Sequence, residues 1–145
     1  MDALTELMDK VVPDLEPMLA FVSIALKVLI VAGPAVMLLL GLYYLLLAPR
    51  EATHRTGYRT FYGMGSVEAW RFTQKLAGFV WGGLGLGLTV AMIIVCSVNA
   101  GKPLEEMLAI SMTCILVELG LIVLALLAVE LVVVIMYDRD GYRRR

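Results

Sequence analysis

The chain has 145 residues, 61% of them hydrophobic, and a mean hydropathy of +0.87; soluble domains run nearer ~45–50% apolar, so this is the composition of an integral membrane protein. A formal net charge of −1 argues against nucleic-acid binding, which needs a basic surface to neutralise phosphates. The two cysteines, Cys96 and Cys114, lie inside apolar runs and read as small buried hydrophobes, not as a disulfide framework or a metal pair.

The N-terminus is acidic and its first apolar run is too long for a signal peptide, so no cleavage is expected. Residues 2–12 place Leu4, Leu7, Met8, Val11 and Val12 at helical spacing, with Asp2, Glu6 and Asp9 opposite. This predicts an amphipathic outer helix stopped by Pro13, resting on the protein's own outer end or on the membrane surface. The first long apolar run, 18–48, contains Lys27 and a Gly33-Pro34 step and ends at Pro49. It exceeds the ~20 residues a span requires, and Pro34 predicts a kink.

A polar and aromatic loop, 49–66, follows. Ser66 is a good N-cap for a second membrane helix, 67–98, with Glu68 in its first turn where the helix dipole favours an anion. Glycines 78, 82, 83, 85 and 87 crowd its first half. Gly83 and Gly87 form a small-xxx-small pair, suited to packing on the chain's own helices or to a dimer seam. A turn at 99–102 leads into a third helix, 103–137, opened by Pro103, Glu105 and Glu106, and a basic tail, 138–145, closes the chain. The expected fold is all-α: a single membrane domain made of a three-helix transmembrane bundle with an N-terminal amphipathic helix.

Arg50, Arg55, Arg59, Arg71 and Lys75 lie in or beside the loop, and Arg139, Arg143, Arg144 and Arg145 in the tail, against Lys10 and Lys102 at the other end. The positive-inside rule therefore assigns loop and C-terminus to the cytoplasm and the N-terminus to the outside.

Three charges fall within the apolar runs. A charge at the bilayer centre costs about 2.5–3.5 kcal/mol on insertion scales, so Lys27, Glu118 and Glu130 need partners or a wet edge. Counting back about 20 residues from the inner ends brings Lys27 and Glu118 to the outer boundary, where they either pair or snorkel separately. Glu130 lies about seven residues, roughly 10 Å, inside the inner boundary. It is held by donors such as Trp81, Tyr43, Tyr44 or a loop arginine, contacts a ligand or ion, or is protonated and faces lipid. Glu118 and Glu130 are about 120° apart around the helix and make no acidic stripe.

No enzyme signature is present, and no catalytic residue, metal site or cofactor is expected. The sole histidine, His54, has no cysteine or second histidine beside it, and no Gly-Lys-Ser/Thr follows the loop glycines. What the loop offers is a glycine-punctuated turn leading into a helix N-terminus. Arg59 there suits a phosphate or carboxylate partner, loop carbonyls or lipid headgroups, and Trp70 suits an interfacial anchor.

Gly57-Tyr58-Arg59-Thr60, then Met64, Trp70, Phe72 and Gly78, between a first and second membrane helix, resemble the SdpI (SdpI/YhfL) family of small bacterial membrane proteins. The resemblance covers residues 53–80 and the placement of the flanking spans. Thr53 stands where the family usually has Asn, and Gly63 where it usually has Ser. The best-known member of the family is longer, with additional spans. The resemblance implies a non-enzymatic immunity or signalling protein of the bacterial cytoplasmic membrane that binds a toxic peptide or a repressor protein. Gly57, Tyr58, Arg59, Thr60, Met64 and Trp70 would form its binding loop. The alternative from the residues is a subunit of an oligomeric small-molecule or ion transporter using Glu130 and the glycine-rich second helix, with membrane lipid and further copies as partners.

Overall fold

The computed structural model describes the backbone of residues 2–53 and 55–144, with side chains described from residue 17 onward. Among the described residues there are three long helices, α1 (Asp2–Leu46), α2 (Val67–Val98) and α3 (Leu104–Met136), and one 3-10 turn at Tyr62–Met64. Pro17–Leu46, α2 and α3 are each long and apolar enough to cross a membrane. Large apolar side chains such as Phe21, Leu39, Phe79, Leu86 and Leu124 lie exposed on the outside of the bundle. Apolar surface this continuous is solvated by lipid, and the protein is a multi-pass, all-α membrane bundle.

The expected break at Pro13 is absent, and the 45-residue α1 runs through Pro13, Pro17 and Pro34 alike. Each proline deletes one backbone hydrogen bond, whereas propagation restores one bond for every other residue fixed. A separate outer helix over 2–12 is thus replaced by an extension of the first span; its expected apolar face lies outside the described side chains. Pro34 is fully buried, so its ring contributes packing that offsets the missing donor.

Helices α1 and α2 are the most closely packed pair and run antiparallel. A methyl on Gly78 would meet Leu45 Cγ at 2.5 Å, one on Gly41 would collide with the Gly82 backbone, and one on Gly85 with the backbone of Leu38. At the far end the Cys96 thiol lies 3.9 Å from the Lys27 carbonyl. Leu45–Gly78, Gly41–Gly82, Leu38–Gly85 and Lys27–Cys96 share one register, so the two backbones stay in step along the whole seam. Small residues at helical spacing allow this approach. Gly83 and Gly87, expected to act as the small-xxx-small pair, have no neighbour within 4 Å. They lie on a different face, Gly83 being turned about 100° from Gly82.

Helix α3 packs more lightly against both. It turns Met107, Ser111, Glu118, Ala125, Val129 and Val133 inward at steps of four and seven residues, the stripe expected of a helix in a bundle. Ala77, Val129 and Val133 form a core cluster, with Tyr44, Tyr58, Phe72 and Trp81 packed on it.

Candidate functional site

The loop between α1 and α2 is a built structure that caps one end of the bundle. It begins at Trp70, which is fully buried and donates its indole N–H to the Pro49 carbonyl at 2.8 Å. This bond ties the exit of α1 to the first turns of α2. Trp70 is therefore an internal strut, correcting the expectation of a lipid-interface anchor: the indole has a protein acceptor and no exposed face. Arg71 Nε adds a second tie, to the Arg50 carbonyl at 3.2 Å.

Gly57 meets this strut. Its φ of 104° lies in the region that favours glycine, and an added Cβ would sit 2.6 Å from Trp70 Cζ2. The chain then reaches Gln74, whose side-chain amide accepts from Tyr58 N–H at 2.8 Å and donates to the Tyr58 carbonyl at 2.7 Å. Thr60 is buried, and its Oγ1 accepts from Gly63 N–H at 2.9 Å. Gly63 is itself wedged between the hydroxyls of Thr60 and Thr73, leaving no room for a Cβ. Met64, half-buried, ends the 3-10 turn.

Ser66 caps α2 by accepting from Ala69 N–H at 3.1 Å, and its hydroxyl donates to the Gly141 carbonyl at 2.7 Å. The C-terminal segment read as a basic tail is thus a folded turn docked on the loop. Asp138 Oδ1 accepts from Asp140 N–H at 3.1 Å and Tyr142 N–H at 2.8 Å. Tyr137 and Arg143 form an antiparallel bridge. Gly141, at φ 77°, presses on Gly65 and Ser66. The signal was present in Asp138-Arg139-Asp140-Gly141, since Asp side chains bond the backbone two residues on and Gly supplies positive φ. Arg145 and His54 lie outside the described residues.

Gly57, Tyr58, Arg59, Thr60, Met64 and Trp70 therefore belong to one cap. Gly57, Thr60, Trp70 and the Tyr58 backbone build it from within, and the Arg59 and Phe61 side chains are exposed on its outside. Thr73 and Gln74 are functional parts that sequence reasoning missed. Their signal is polarity three and four residues after Trp70, on the same helix face, at the start of an apolar span.

Of the intramembrane charges, Glu130 is the one that acts electrostatically on the cap, at Tyr58. Tyr58 stacks edge-on with Tyr44 at 5.6 Å and lies at 6.3 Å, tilted, from Trp81. Burial pushes the Tyr58 hydroxyl above its ordinary pKa of 10.0, and the nearby Glu130 carboxylate and Tyr44 push it further. The Trp81 indole opposes this rise, though its N–H forms no hydrogen bond of good geometry. The Glu130 charge thus bears on a loop tyrosine, Tyr58, which was not among its expected donors.

Lys27 and Glu118 do not pair. Lys27 Nζ lies 3.5 Å from the Ala100 carbonyl, level with the turn between α2 and α3. Glu118 lies against Gly33, where an added Cβ would be 3.1 Å from its Oε2. Gly33 is six residues beyond Lys27, roughly 9 Å along the helix. Equal residue counts from the inner ends did not place the two at equal depth, because helices of different length are offset where they pack. The cysteines are half-buried and unpaired.

Comparison of the chain with protein-family models, curated proteins and solved structures returns no match. The class that fold and site define is a small multi-pass membrane protein, three helices closed at one end by an internally bonded cap.

Proposed function

We propose that this is a non-enzymatic recognition protein of the bacterial cytoplasmic membrane, of the SdpI immunity and signalling kind. Its cap faces the cytoplasm, as the Arg- and Lys-rich loop and tail favour, and binds a toxic peptide or a cytoplasmic partner protein. The observation that carries this reading is the division of labour within the motif. Gly57, Thr60 and Trp70 face inward and hold the loop, which presents Arg59 and the 72%-exposed ring of Phe61 outward. A loop rigidified from behind holds a cation and an aromatic ring in fixed relation, the residue types that anchor protein interfaces.

The test is resistance to the peptide, or recruitment of the partner to membranes, in cells expressing Arg59→Ala or Phe61→Ala. Loss of either activity with unchanged membrane abundance is expected. Wild-type activity in both variants would defeat the reading. An oligomeric transporter subunit is the second reading, favoured by the open face at Gly83 and Gly87 and by Glu130 beside Tyr58. Flux in proteoliposomes that survives Glu130→Gln would remove it.

A further inference from the structure

Glu118 is the polar group least accounted for by the fold. It is only 6% exposed, its Oε1 is buried without a hydrogen-bond partner, and no cation of the described residues lies within ion-pair distance of it. Lys27, on the facing helix, is turned instead toward the Ala100 carbonyl, 3.5 Å from its Nζ. An ionised carboxyl so placed within an apolar span costs a few kcal/mol, and a buried polar group left without a partner calls for a physical explanation, a bound ligand being one.

The surroundings indicate what would satisfy it. Glu118 lines a groove of about 540 Å³ between α1 and α3, whose walls are aliphatic, including Leu29, Val36, Leu40, Ile115, Leu119 and Ile122, with Trp81 also lining it. Leu29, Val36 and Leu119 are each more than half exposed on the outer surface, so the groove opens sideways to lipid. Gly33 lies against the carboxyl, and any side chain there would press on Oε2.

We propose that this groove binds a lipophilic monocation, an organic ammonium or phosphonium whose apolar body fills the aliphatic walls and whose charge sits at Glu118. Charge complementarity selects this occupant. A neutral apolar molecule leaves the carboxyl unsatisfied, and an anion is repelled. A hard metal ion needs several oxygen ligands, and no cluster of three acidic, His or Cys side chains exists among the described residues. An apolar cavity of several hundred Å³ with one convergent polar group is the usual form of a small-molecule site. The groove shares Trp81 with the cap but uses none of the loop residues, and it does not depend on the function proposed for them.

The experiment uses the full chain in lipid nanodiscs, titrated with tetraphenylphosphonium and, as a shape-matched anion, tetraphenylborate, with protein-free discs as background. Saturable one-to-one binding of the phosphonium is expected, with no saturable binding of the borate. Glu118→Gln should weaken phosphonium binding about tenfold or more, and Glu118→Asp should retain most of it. Glu118→Gln binding within about twofold of the parent, or equal saturable binding of both ions, overturns the proposal. An independent arm needs no variant. Dicyclohexylcarbodiimide should modify Glu118, located by peptide mapping, and saturating phosphonium should suppress that modification. Modification unaffected by the phosphonium would mean that the carboxyl is merely protonated, and would equally overturn the site.

Discussion

The side-chain amide of Gln74 grips both backbone polar groups of Tyr58, accepting from its N–H at 2.8 Å and donating to its carbonyl at 2.7 Å. A glutamine in the second turn of a membrane helix thereby acts as a short strand edge for the loop. It positions the tyrosine ring against Tyr44 and Trp81 and leaves the next residue, Arg59, on the outside. Removing both bonds leaves two part-buried backbone groups short of partners, at about 1–3 kcal/mol each. Gln74→Ala should therefore lower the thermal midpoint and abolish slow amide exchange at Tyr58. Gln74→Glu keeps the acceptor but sets a carboxylate oxygen against the Tyr58 carbonyl, and should be no better than alanine. Exchange at Tyr58 unchanged in Gln74→Ala would show that the grip contributes nothing.

Gly57 and Trp70 form a pair in which the indole leaves the glycine no room for a side chain. Gly57→Ala combines a φ of 104° with a Cβ driven into the indole, and strained backbone of this kind costs on the order of 1–3 kcal/mol. We expect a lowered melting temperature and an altered Trp70 fluorescence maximum as the indole loses its bond to Pro49. Gly101→Ala, in open space at the opposite end, is the matched control and should melt with the parent.

The seam between α1 and α2 makes a sharper prediction, because adjacent glycines should respond oppositely. A Cβ on Gly82 already touches the Gly41 backbone at 3.7 Å, so the rest of the Gly82→Leu side chain presses into α1, whereas Gly83→Leu projects into space with nothing within 4 Å. Overpacking costs typically about 1–3 kcal/mol, and more is expected where backbone itself blocks the side chain. Detergent-solubilised Gly82→Leu should aggregate or melt early, while Gly83→Leu should keep the parental melting temperature. Equal loss in both would indicate that the Gly83 face is covered in the native membrane.

The Tyr58 hydroxyl offers a spectroscopic readout of Glu130. Its pKa is raised first by burial and then by the Glu130 charge, so Glu130→Gln should bring tyrosinate formation at Tyr58 down toward the ordinary value of 10.0, measured as the ultraviolet difference between the parent and Tyr58→Phe. Between the ordinary pKa and the raised one, the unfolded chain binds fewer protons than the folded chain, so stability falls as pH rises through that window. Below it this tyrosine contributes no pH dependence. A Tyr58 titration identical in parent and Glu130→Gln would separate the two groups.

Composition and hydropathy alone determined the class of this protein and the number of its spans. The reason is that a lipid-embedded helix must satisfy every backbone group internally and present apolar side chains outward, and both demands are local. Ser66 as the N-cap and Glu68 in the first turn of α2 were legible for the same reason. Long-range placement was not. No spacing rule reveals that the Asp138–Gly141 turn folds back to take the Ser66 hydroxyl, or that Gly82 and Gly85, and not Gly83 and Gly87, face α1. Nor does counting residues along separate helices show that Lys27 meets Ala100 while Glu118 lies deeper, against Gly33. These outcomes depend on the rotation and offset of one helix against another. They are set by how closely backbones approach and by which buried polar groups find partners, and only the tertiary structure decided them.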